Sequence, residues 1–338
     1  MVIDNLLLGK HLGRKKTKSL FQKLLKGDID PAFAKQLLTL LQKKGERADE
    51  LAGFVEAVRS IEKPIRYHHP NLVDGCGTGG DGKRTFNIST IASLVAASAG
   101  AKAAKHGNRS ISSQCGSADL LEALGIKIDA PKNRMLKALK TTNFAYFHAP
   151  QYHSIFKSFQ PIRACLAKKK IKTIFNFAGP LLNPARPKNQ LIGVWRKDLL
   201  PVVSEAAKQL KLKRAMIVWN TAGYDELTTG QKTMIVELKN GKLKKQILSS
   251  RPFNLKPNST SHLRGGAVKL NKKIALNIIN GKDKSARLDT VVLNSAAILY
   301  VSGKTKNLAE GIRLSKKALL SGATARLVEK LKKVSHGS

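Results

Sequence analysis

A glycine-rich segment at residues 74–82, Asp-Gly-Cys-Gly-Thr-Gly-Gly-Asp-Gly, has the spacing that most clearly indicates chemistry. The apolar pair before it indicates the end of a buried strand, and the small and apolar residues at 91–99 indicate a closely packed helix. Glycines let backbone N–H groups approach a ligand, and a helix N-terminus adds unpaired donors and the positive end of a dipole. Side-chain donors follow at Asn87, Ser89 and Thr90. The sequence therefore predicts an anion pocket suited to phosphate.

Two familiar nucleotide-binding patterns overlap this segment, and neither fits it. Its glycines satisfy G-x-G-x-x-G, but that fingerprint also requires an acidic residue about 20 residues further on. The sequence has no Asp or Glu between Asp81 and Asp119. The segment also begins like a P-loop, but Arg84 stands where a hydroxyl should reach magnesium. Both interpretations are therefore rejected.

A second polar segment, Lys-His-Gly-Asn-Arg at residues 105–109, follows another short apolar stretch and leads into several serines. Neighbouring parallel strands would place it beside the glycine segment, where its cations and hydroxyls would face a bound phosphate chain from the other side. His106 is either a general base or a histidine packed for structural reasons. This arrangement predicts a second wall of the same anion site.

Three more side chains extend the candidate site. Asp225 and Glu226 follow a predicted strand in a chain with only 22 acidic residues, and such a pair is a reasonable magnesium site. Arg163, on a predicted helix at 152–167, offers a planar fork suited to a carboxylate, with an ordinary surface arginine as the equal alternative.

Composition limits the class of protein. The chain has 338 residues, of which 42% are hydrophobic, which is enough for a substantial core. Three cysteines without metal-ligand spacing, no signal-peptide pattern and no long apolar run predict a cytoplasmic protein without a membrane span. The formal charge of +39 fits anionic ligands, nucleic acid or acidic membranes, but a general lysine bias on solvated surfaces explains it more simply. With only 5% aromatic residues there is little material for base stacking.

Apolar periodicity predicts an all-helical start and an α/β remainder. Four helices are expected between residues 4 and 67, and Asp30-Pro31 marks the start of the third. Strands are predicted at 72–73, 103–104, 145–147, 191–194, 215–218 and 233–238. Helices are predicted at 90–100, 116–124, 132–139, 152–167, 197–210, 263–279, 290–301 and 308–320. The lysine-rich C-terminal end is expected to be frayed. The fold class is therefore α/β, a large domain with a mostly parallel central sheet flanked by helices, plus a small all-helical N-terminal domain.

Together these residues resemble the anthranilate phosphoribosyltransferase family over nearly the whole chain. The motifs that carry the resemblance are Gly77-Thr78-Gly79-Gly80-Asp81, Asn87-Ile88-Ser89-Thr90, Lys105-His106-Gly107-Asn108-Arg109, Gly116-Ser117-Ala118-Asp119 and Gly179-Pro180-Leu181-Leu182-Asn183-Pro184. The resemblance implies transfer of phosphoribose to the amine of anthranilate in tryptophan biosynthesis, and commonly a homodimer. It implies a helical domain at 1–69, joined by later helices around 152–185, and an α/β domain at 70–338.

The resemblance also implies roles for individual residues. Phosphoribosyl pyrophosphate would contact Gly77, Gly80, Asp81, Thr85, Asn87, Ile88, Ser89, Thr90, Lys105, His106, Gly107, Asn108, Arg109, Ser110, Ile111, Ser112, Ser113 and Ser117. Magnesium (Mg²⁺) would bind at Ser89, Asp225 and Glu226. Anthranilate would meet Gly77, Asn108 and Arg163, with Arg163 facing its carboxylate. The candidate catalytic residues are Lys105, His106 and Arg163. The chain departs from the family pattern by a few added residues before Asn176, which include Lys168-Lys169-Lys170.

Two alternative functions differ from this one in testable ways. A pyrimidine nucleoside phosphorylase has a similar architecture, but its glycine-rich signature is absent from this sequence. A nucleic-acid-binding protein on the same fold would account for the +39 charge, yet it would not need the phosphate and metal motifs. Nucleic acid is therefore a possible partner that is not expected.

Overall fold

The computed structural model describes residues 2–110, 114–257, 259 and 261–337. Its N-terminal part is helical. The four helices are α1 Val2–Leu7, α2 Arg14–Lys26, α3 Pro31–Lys44 and α4 Ala48–Ile61. The carboxylate of Asp30 caps α3 by accepting the backbone N–H of Phe33 at 3.0 Å. The prediction of four helices, with the third starting after Asp30, is confirmed.

Strands and helices alternate through the middle of the chain. In chain order they are β1 Leu72–Gly77, α5 Ile88–Ser98, β2 Lys102–Gly107, α6 Ser117–Ala123, α7 Lys132–Thr142, β3 Phe144–His148, α8 Ala149–Tyr152, α9 Gln160–Lys168, α10 Ile174–Phe177, β4 Asn189–Gly193, α11 Leu199–Gln209, β5 Arg214–Asn220, β6 Thr233–Lys239 and β7 Lys242–Leu248. Four helices complete the fold, α12 Val268–Ile279, α13 Ala286–Val301, α14 Leu308–Leu320 and α15 Ala323–His336. Short 3₁₀ turns lie at Ser154–Lys157, Gly179–Leu182 and Arg251–Phe253.

One seven-stranded sheet has the strand order β3-β2-β1-β4-β5-β6-β7. The first five strands in this order are parallel to their neighbours, whereas β6 and β7 are antiparallel additions at one edge. After β1 the chain builds β2 and β3 on one side and then returns to build β4 on the other. The crevice beyond the carboxyl ends of β1 and β4 is therefore the topological switch point, where sheets of this kind bind ligands. The predicted fold class is confirmed.

Two large apolar clusters cover the faces of the sheet. One joins α5, α12, α13 and α15 to one face, with Val73, Leu94, Ile278, Leu293 and Leu331 among its members. The other joins the N-terminal helices to the segment before β4 and to α11, with Phe21, Leu37, Phe54, Phe159, Phe175, Ile192 and Val203 among its members. The helical start therefore packs against residues that lie more than a hundred positions later in the sequence.

Local predictions were wrong at two points near the site. Residues 74–77 were expected in a loop, but they extend β1, because parallel pairing with β4 continues to Gly77. The predicted helix at 152–167 is instead α8, a 3₁₀ turn and α9. Pro161 lies in the first turn of α9, where its missing N–H is tolerated, and it cannot continue a helix from the preceding turn.

Three further differences lie away from the site. The helix expected from residue 263 begins only at Val268, after the glycine pair at 265–266. Strand β7 was not predicted. The C-terminal end is the helix α15 and is not frayed, because Leu327, Leu331 and Val334 are buried. Within the described ranges, no helix has the length and apolar character to cross a bilayer.

Candidate active site

The glycine loop leaves β1 at the switch point. Thr78 donates its backbone N–H to the carbonyl of Gly193 at 2.9 Å, which continues the pairing with β4 for one more residue. Gly79, Gly80 and Gly82 then adopt φ angles of +65°, +78° and +71°, a region that favours glycine. The loop thereby turns at the mouth of the crevice, with Gly79 and Gly80 exposed.

The carboxylate loop after β5 packs directly on the ends of β1 and β4. Gly77 and Gly193 are the last residues of their strands and lie opposite one another in register. A Cβ on Gly77 would lie 2.3 Å from Oδ2 of Asp225, and a Cβ on Gly193 would lie 1.4 Å from the Asp225 carbonyl oxygen. The backbone N–H of Gly79 donates to Oδ2 of Asp225 at 2.7 Å. Only glycines at both strand ends leave room for this carboxylate.

Lys105 joins the second strand to the first. Its side chain on β2 is buried, and Nζ donates to the Gly75 carbonyl at 2.7 Å and to Oγ of Ser89 at 3.4 Å. The buried carboxyl of Asp74 accepts a hydrogen bond from Nδ2 of Asn183 at 2.7 Å. Burial raises the pKa of Asp74 to about 6, although the nearby Lys105 lowers it. The two polar segments are thus neighbours, as the parallel pairing of β1 and β2 requires.

The acidic pair lies against the start of α5. Oε1 of Glu226 accepts the backbone N–H of Ser89 at 3.2 Å, in the first turn of that helix, where the dipole favours an anion. Burial raises the pKa of Asp225 to about 7, and the charge of Asp81 adds to the shift. Burial, followed by repulsion from Asp225 and Asp81, raises the pKa of Glu226 well above its usual range. Three carboxyl groups, those of Asp81, Asp225 and Glu226, are therefore crowded together at this point.

The donor atoms at this point fit magnesium. Oε2 of Glu226 and Oδ2 of Asp81 are buried and have no hydrogen-bond partner among the described residues. Magnesium prefers such hard oxygen ligands and needs only one or two protein carboxylates. Across the described ranges no group of three or more His, Cys, Asp or Glu side chains is arranged as a metal site.

Other residues of the predicted phosphate site serve packing as well. The side chain of Asn87 donates to the Cys115 carbonyl at 3.0 Å and accepts from Nδ2 of Asn271 at 3.0 Å. The side chains of Ile88 and Thr90 are buried in the core, so only their backbones can face the crevice. Thr85 forms an isolated antiparallel bridge with Arg264, which anchors the far end of the glycine loop.

The second polar segment is held by carboxylates of α6. The guanidinium of Arg109 donates to both oxygens of Glu122, one of them at 2.7 Å, and also to Asp119. Asp119 in addition accepts the backbone N–H groups of Ser110 and Gly116. The structure therefore directs the Arg109 side chain to these carboxylates. Ile111, Ser112 and Ser113, also predicted to contact the substrate, lie outside the described residues.

The turn after β2 approaches α6 very closely. Oγ of Ser117 lies 3.3 Å from the Asn108 carbonyl and 3.0 Å from the Tyr146 hydroxyl. A Cβ on Gly107 would lie 2.2 Å from Oγ of Ser117, so a glycine is needed there. The side chain of Asn108 is exposed at the edge of the crevice, and its Oδ1 accepts the backbone N–H of Arg109 at 2.7 Å.

His106 is buried beside a second histidine. Its ring lies edge-on to that of His153, with the centroids 5.1 Å apart. Burial lowers the pKa of His106 well below its usual range, and the charges of His153 and Lys105 act in the same direction. His106 is therefore a neutral imidazole at neutral pH. His153 in turn contacts the carboxylate of Glu62 through Nδ1.

Arg163 lies on α9, beside the aromatic cluster of the helical part. Its guanidinium is 5.6 Å from the centroid of the Phe175 ring. That ring lies 5.6 Å from Phe156, which lies 5.6 Å from His153. The structure thus connects Arg163 to His106 through packed rings, and no described carboxylate is paired with it.

Sequence reasoning missed Gly193, Lys172 and Trp195, which all lie at the crevice. Gly193 ends β4, and its pairing with Gly77 becomes apparent only once the sheet order is known. Lys172 and Trp195 contact the glycine loop from distant segments. A residue directly after a parallel strand is a usable signal for Trp195, because ligands bind at that end of the sheet. We find no local signal for Lys172.

The class of protein follows from matches to two family models. Residues 1–60 match the model described as "Glycosyl transferase family, helical bundle domain". Residues 69–325 match the model described as "Glycosyl transferase family, a/b domain". With the helical start and the mostly parallel sheet, these matches define a transferase of the glycosyl transferase family.

Individual relatives narrow this class. An anthranilate phosphoribosyltransferase from Clostridium kluyveri is 39% identical over 320 residues, which cover 95% of this chain and 94% of the relative. The crystal structure of the enzyme of that name from Thermus thermophilus matches with a TM-score of 0.92 at 35% identity, over 99% of both chains. The Saccharomyces cerevisiae enzyme in complex with PRPP and Mg has a TM-score of 0.88 at 26% identity, over 99% of this chain and 97% of that one. The chain belongs to the anthranilate phosphoribosyltransferase family.

Proposed function

We propose that the chain transfers phosphoribose from phosphoribosyl pyrophosphate to the amine of anthranilate and releases pyrophosphate, as a step of tryptophan biosynthesis. The observation that carries the proposal is a set of three hydrogen bonds across the switch point. It joins Lys105 to Ser89, Ser89 to Glu226, and Asp225 to Gly79. A glycine loop, a buried cation and an acidic pair therefore share one site that suits a diphosphate with its metal ion. The yeast relative in complex with PRPP and Mg supports the same substrate.

We propose that the diphosphate is bound by the glycine loop and the start of α5. The hydroxyl of Ser89 and the ammonium of Lys105 would supply donors, together with those backbone N–H groups of the loop and the first turn of α5 that are not already bonded to Gly193, Asp225 or Glu226. Negative charge grows on the leaving pyrophosphate as the bond to the sugar stretches, and donors fixed in place before the reaction oppose that charge without reorganisation. Because Lys105 is bonded to the Gly75 carbonyl, its ammonium is already positioned before the diphosphate binds.

We propose that magnesium, held by Asp225, Glu226 and Ser89, makes the reaction metal-dependent. When bound, the ion neutralises charge on the diphosphate and on the leaving group. The raised pKa values of the two carboxyls follow from burial and from repulsion by neighbouring carboxylates, Asp81 in both cases, and a cation at this point would lower both pKa values. The unpartnered Oε2 of Glu226 is available for this contact.

We propose that anthranilate enters between the glycine loop and the helical part. Gly77 and Asn108 would line one side, and the fork of Arg163 would face the carboxylate. An aniline-type nitrogen is unprotonated near neutral pH, so positioning the amine for attack can supply much of the rate enhancement without a strong base. The neutral imidazole of His106 is compatible with packing against the aromatic ring of anthranilate. The yeast relative in complex with 4-fluoroanthranilate supports this substrate class.

We further propose a homodimer and a cytoplasmic location, which follow the family resemblance. The partition into a helical domain at 1–69, joined by residues around 152–185, and an α/β domain at 70–338 is likewise a proposal. The ring of Phe54 supports the inclusion of the later segment, because it lies edge-on to Phe21 and to Phe175, with centroids 4.8 Å and 4.9 Å apart.

The test is anthranilate consumption, followed by its fluorescence, together with pyrophosphate release. We expect turnover only when phosphoribosyl pyrophosphate and magnesium are both present. The double variant Asp225→Asn with Glu226→Gln should lose at least about 100-fold in rate, because metal-ion stabilisation contributes several kcal/mol. An unchanged rate in this variant would exclude the metal role of the pair. Turnover of thymidine with phosphate, and none with anthranilate, would instead indicate a phosphorylase.

A further inference from the structure

Two side chains from distant parts of the chain hold the backbone at the exposed tip of the glycine loop. Oδ2 of Asp225 accepts the N–H of Gly79 at 2.7 Å. On the other side, Nζ of Lys172 donates to the carbonyl of Gly80 at 2.5 Å. The two contacts restrain consecutive residues with opposite polarity, an anion on the N–H and a cation on the C=O. Asp225 belongs to the proposed metal site, whereas Lys172 has no role in that proposal.

The ammonium of Lys172 is held in place by an aromatic ring. Nζ lies 4.6 Å from the ring centroid of Trp195, within the range of a cation–π contact. Trp195 follows β4 by two residues and packs against Phe177, with ring centroids 6.2 Å apart. A Cβ on Gly80 would lie 3.3 Å from Nζ of Lys172 and 3.9 Å from Trp195. The lysine, the indole and the loop backbone therefore form one packed contact.

This contact connects the two parts of the molecule. Lys172 lies between α9 and α10, and Leu166 and Ile174 on those helices are buried in the cluster that contains the N-terminal helices. The glycine loop belongs to the sheet. The lysine side chain thus extends from the helical part across the mouth of the crevice to the loop proposed to bind the diphosphate.

We infer that Lys172, stacked on Trp195, is a positioning residue for the diphosphate of phosphoribosyl pyrophosphate. It fixes the Gly80 carbonyl on the lysine side of the loop, so that this oxygen does not turn towards the incoming phosphates and repel them. Lysine also places a compact positive charge at the entrance for an anion. This inference rests on the proposed function.

The test compares steady-state kinetics of Lys172→Met with those of the wild-type protein. Loss of one charge-assisted hydrogen bond should raise the KM for phosphoribosyl pyrophosphate about tenfold. The KM for anthranilate and the melting temperature should stay at the wild-type values, because Lys172 is exposed and buries little surface. Lys172→Arg should restore most of the affinity, since it keeps the cation and a donor. Lys169→Met is the matched control in the same exposed segment and should match the wild-type protein.

A double-mutant cycle tests the role of the indole ring. Trp195→Leu should also raise the KM for phosphoribosyl pyrophosphate. In the double variant with Lys172→Met this KM should be no higher than in the more affected single variant, since both changes remove the same contact. Three results would overturn the inference: a KM for phosphoribosyl pyrophosphate within twofold of wild type in Lys172→Met, additive effects in the cycle, or equal rises in both KM values. A wild-type protein without any turnover would instead refute the proposed function, and it would leave a direct titration with phosphoribosyl pyrophosphate to decide the role of Lys172.

Discussion

We expect binding of the diphosphate to depend most strongly on Lys105. Its ammonium is buried and is fixed by Gly75 and Ser89, so it is oriented before any ligand arrives. Lys105→Met should lower kcat/KM for phosphoribosyl pyrophosphate about 100-fold, the loss typical of one preorganised donor in an active site. Lys102→Met, at the other end of the same strand, is the matched control and should change it less than twofold. A comparable loss of kcat/KM in both variants would show that the effect comes from disruption of β2 and not from removal of the Lys105 ammonium.

The acidic pair gives the stability of the protein a defined dependence on pH. The pKa of Asp225 is raised from its ordinary value of 3.8 to about 7 in the folded state. Between these two values the folded state binds more protons than the unfolded state, so this group makes folding less stable as the pH rises. The proposed magnesium ion would bind the ionised form, and its stabilising effect should therefore grow over the same pH range.

Melting temperatures with and without magnesium measure this linkage. We expect magnesium to raise the melting temperature by a few degrees at about pH 8 and by much less at about pH 5.5. The double variant Asp225→Asn with Glu226→Gln should show no magnesium effect at either pH. A shift that is the same at both pH values, or that persists in the double variant, would place the metal elsewhere.

At the scale of elements, two strand ends determine where the acidic pair can lie. A Cβ on Gly193 would overlap the Asp225 carbonyl, so Gly193→Ala must displace the loop that carries the carboxylates. We expect a loss of at least about 100-fold in kcat/KM, because a displacement of about 1 Å in a catalytic group has an effect of that size. The magnesium-dependent rise in melting temperature should also disappear.

Gly311→Ala provides the control for this prediction. A Cβ there would lie 2.8 Å from Cα of Ala296, where α14 crosses α13. Both variants should lower the melting temperature, but only the Gly193 variant should lose the response to magnesium. If the Gly311 variant loses it too, general destabilisation explains the effect.

The site was predictable from sequence where short motifs lie directly after strands. Parallel strands bring such motifs to one edge of the sheet, so the glycine segment, residues 105–109 and the acidic pair could be grouped without a structure. Contacts that form only through tertiary packing could not be predicted from the sequence. The fork of Arg109 on Glu122 directs to α6 a cation that the sequence had assigned to the phosphate, and the local sequence of Lys172 does not indicate its contact with Gly80.

Errors in the predicted elements have specific physical causes. Strand β7 was missed because three of its seven residues are lysine and most of its side chains are exposed. The turn before it, Asn240 at φ 51° and Gly241 at φ 74°, has the Asn-Gly pattern of a two-residue hairpin and could have identified it. Helix α15 was taken for a frayed end because lysines separate its apolar residues, yet its apolar face is buried against α5 and α7.

At the scale of the whole molecule, the charge is the dominant property. The chain has 61 basic and 22 acidic residues, so pairs such as Arg14 with Glu56 neutralise only a minority of the cations. The resulting field attracts anions over a distance set by the ionic strength, with a Debye length of roughly 10 Å at 0.1 M salt and about 3 Å at 1 M.

This field should assist the more highly charged substrate. We expect kcat/KM for phosphoribosyl pyrophosphate to fall several-fold between about 0.1 M and about 1 M potassium chloride at saturating magnesium, while kcat changes little. The kcat/KM for anthranilate, which carries one negative charge, should fall less over the same range of salt. Equal sensitivity of both substrates would indicate a general effect of salt on the fold. Salt-sensitive binding to nucleic acid without any turnover would favour the nucleic-acid-binding alternative.

We propose that the glycine loop, the start of α5, Lys105 and the acidic pair together bind one diphosphate with its magnesium ion. A crystal structure with phosphoribosyl pyrophosphate, magnesium and anthranilate tests it most directly. We predict the diphosphate at the glycine loop and the first turn of α5, the metal on Asp225 and Glu226, and anthranilate between Asn108 and Arg163. A diphosphate bound away from the carboxyl ends of β1 and β4, or a metal ion that contacts neither carboxylate, would contradict the account.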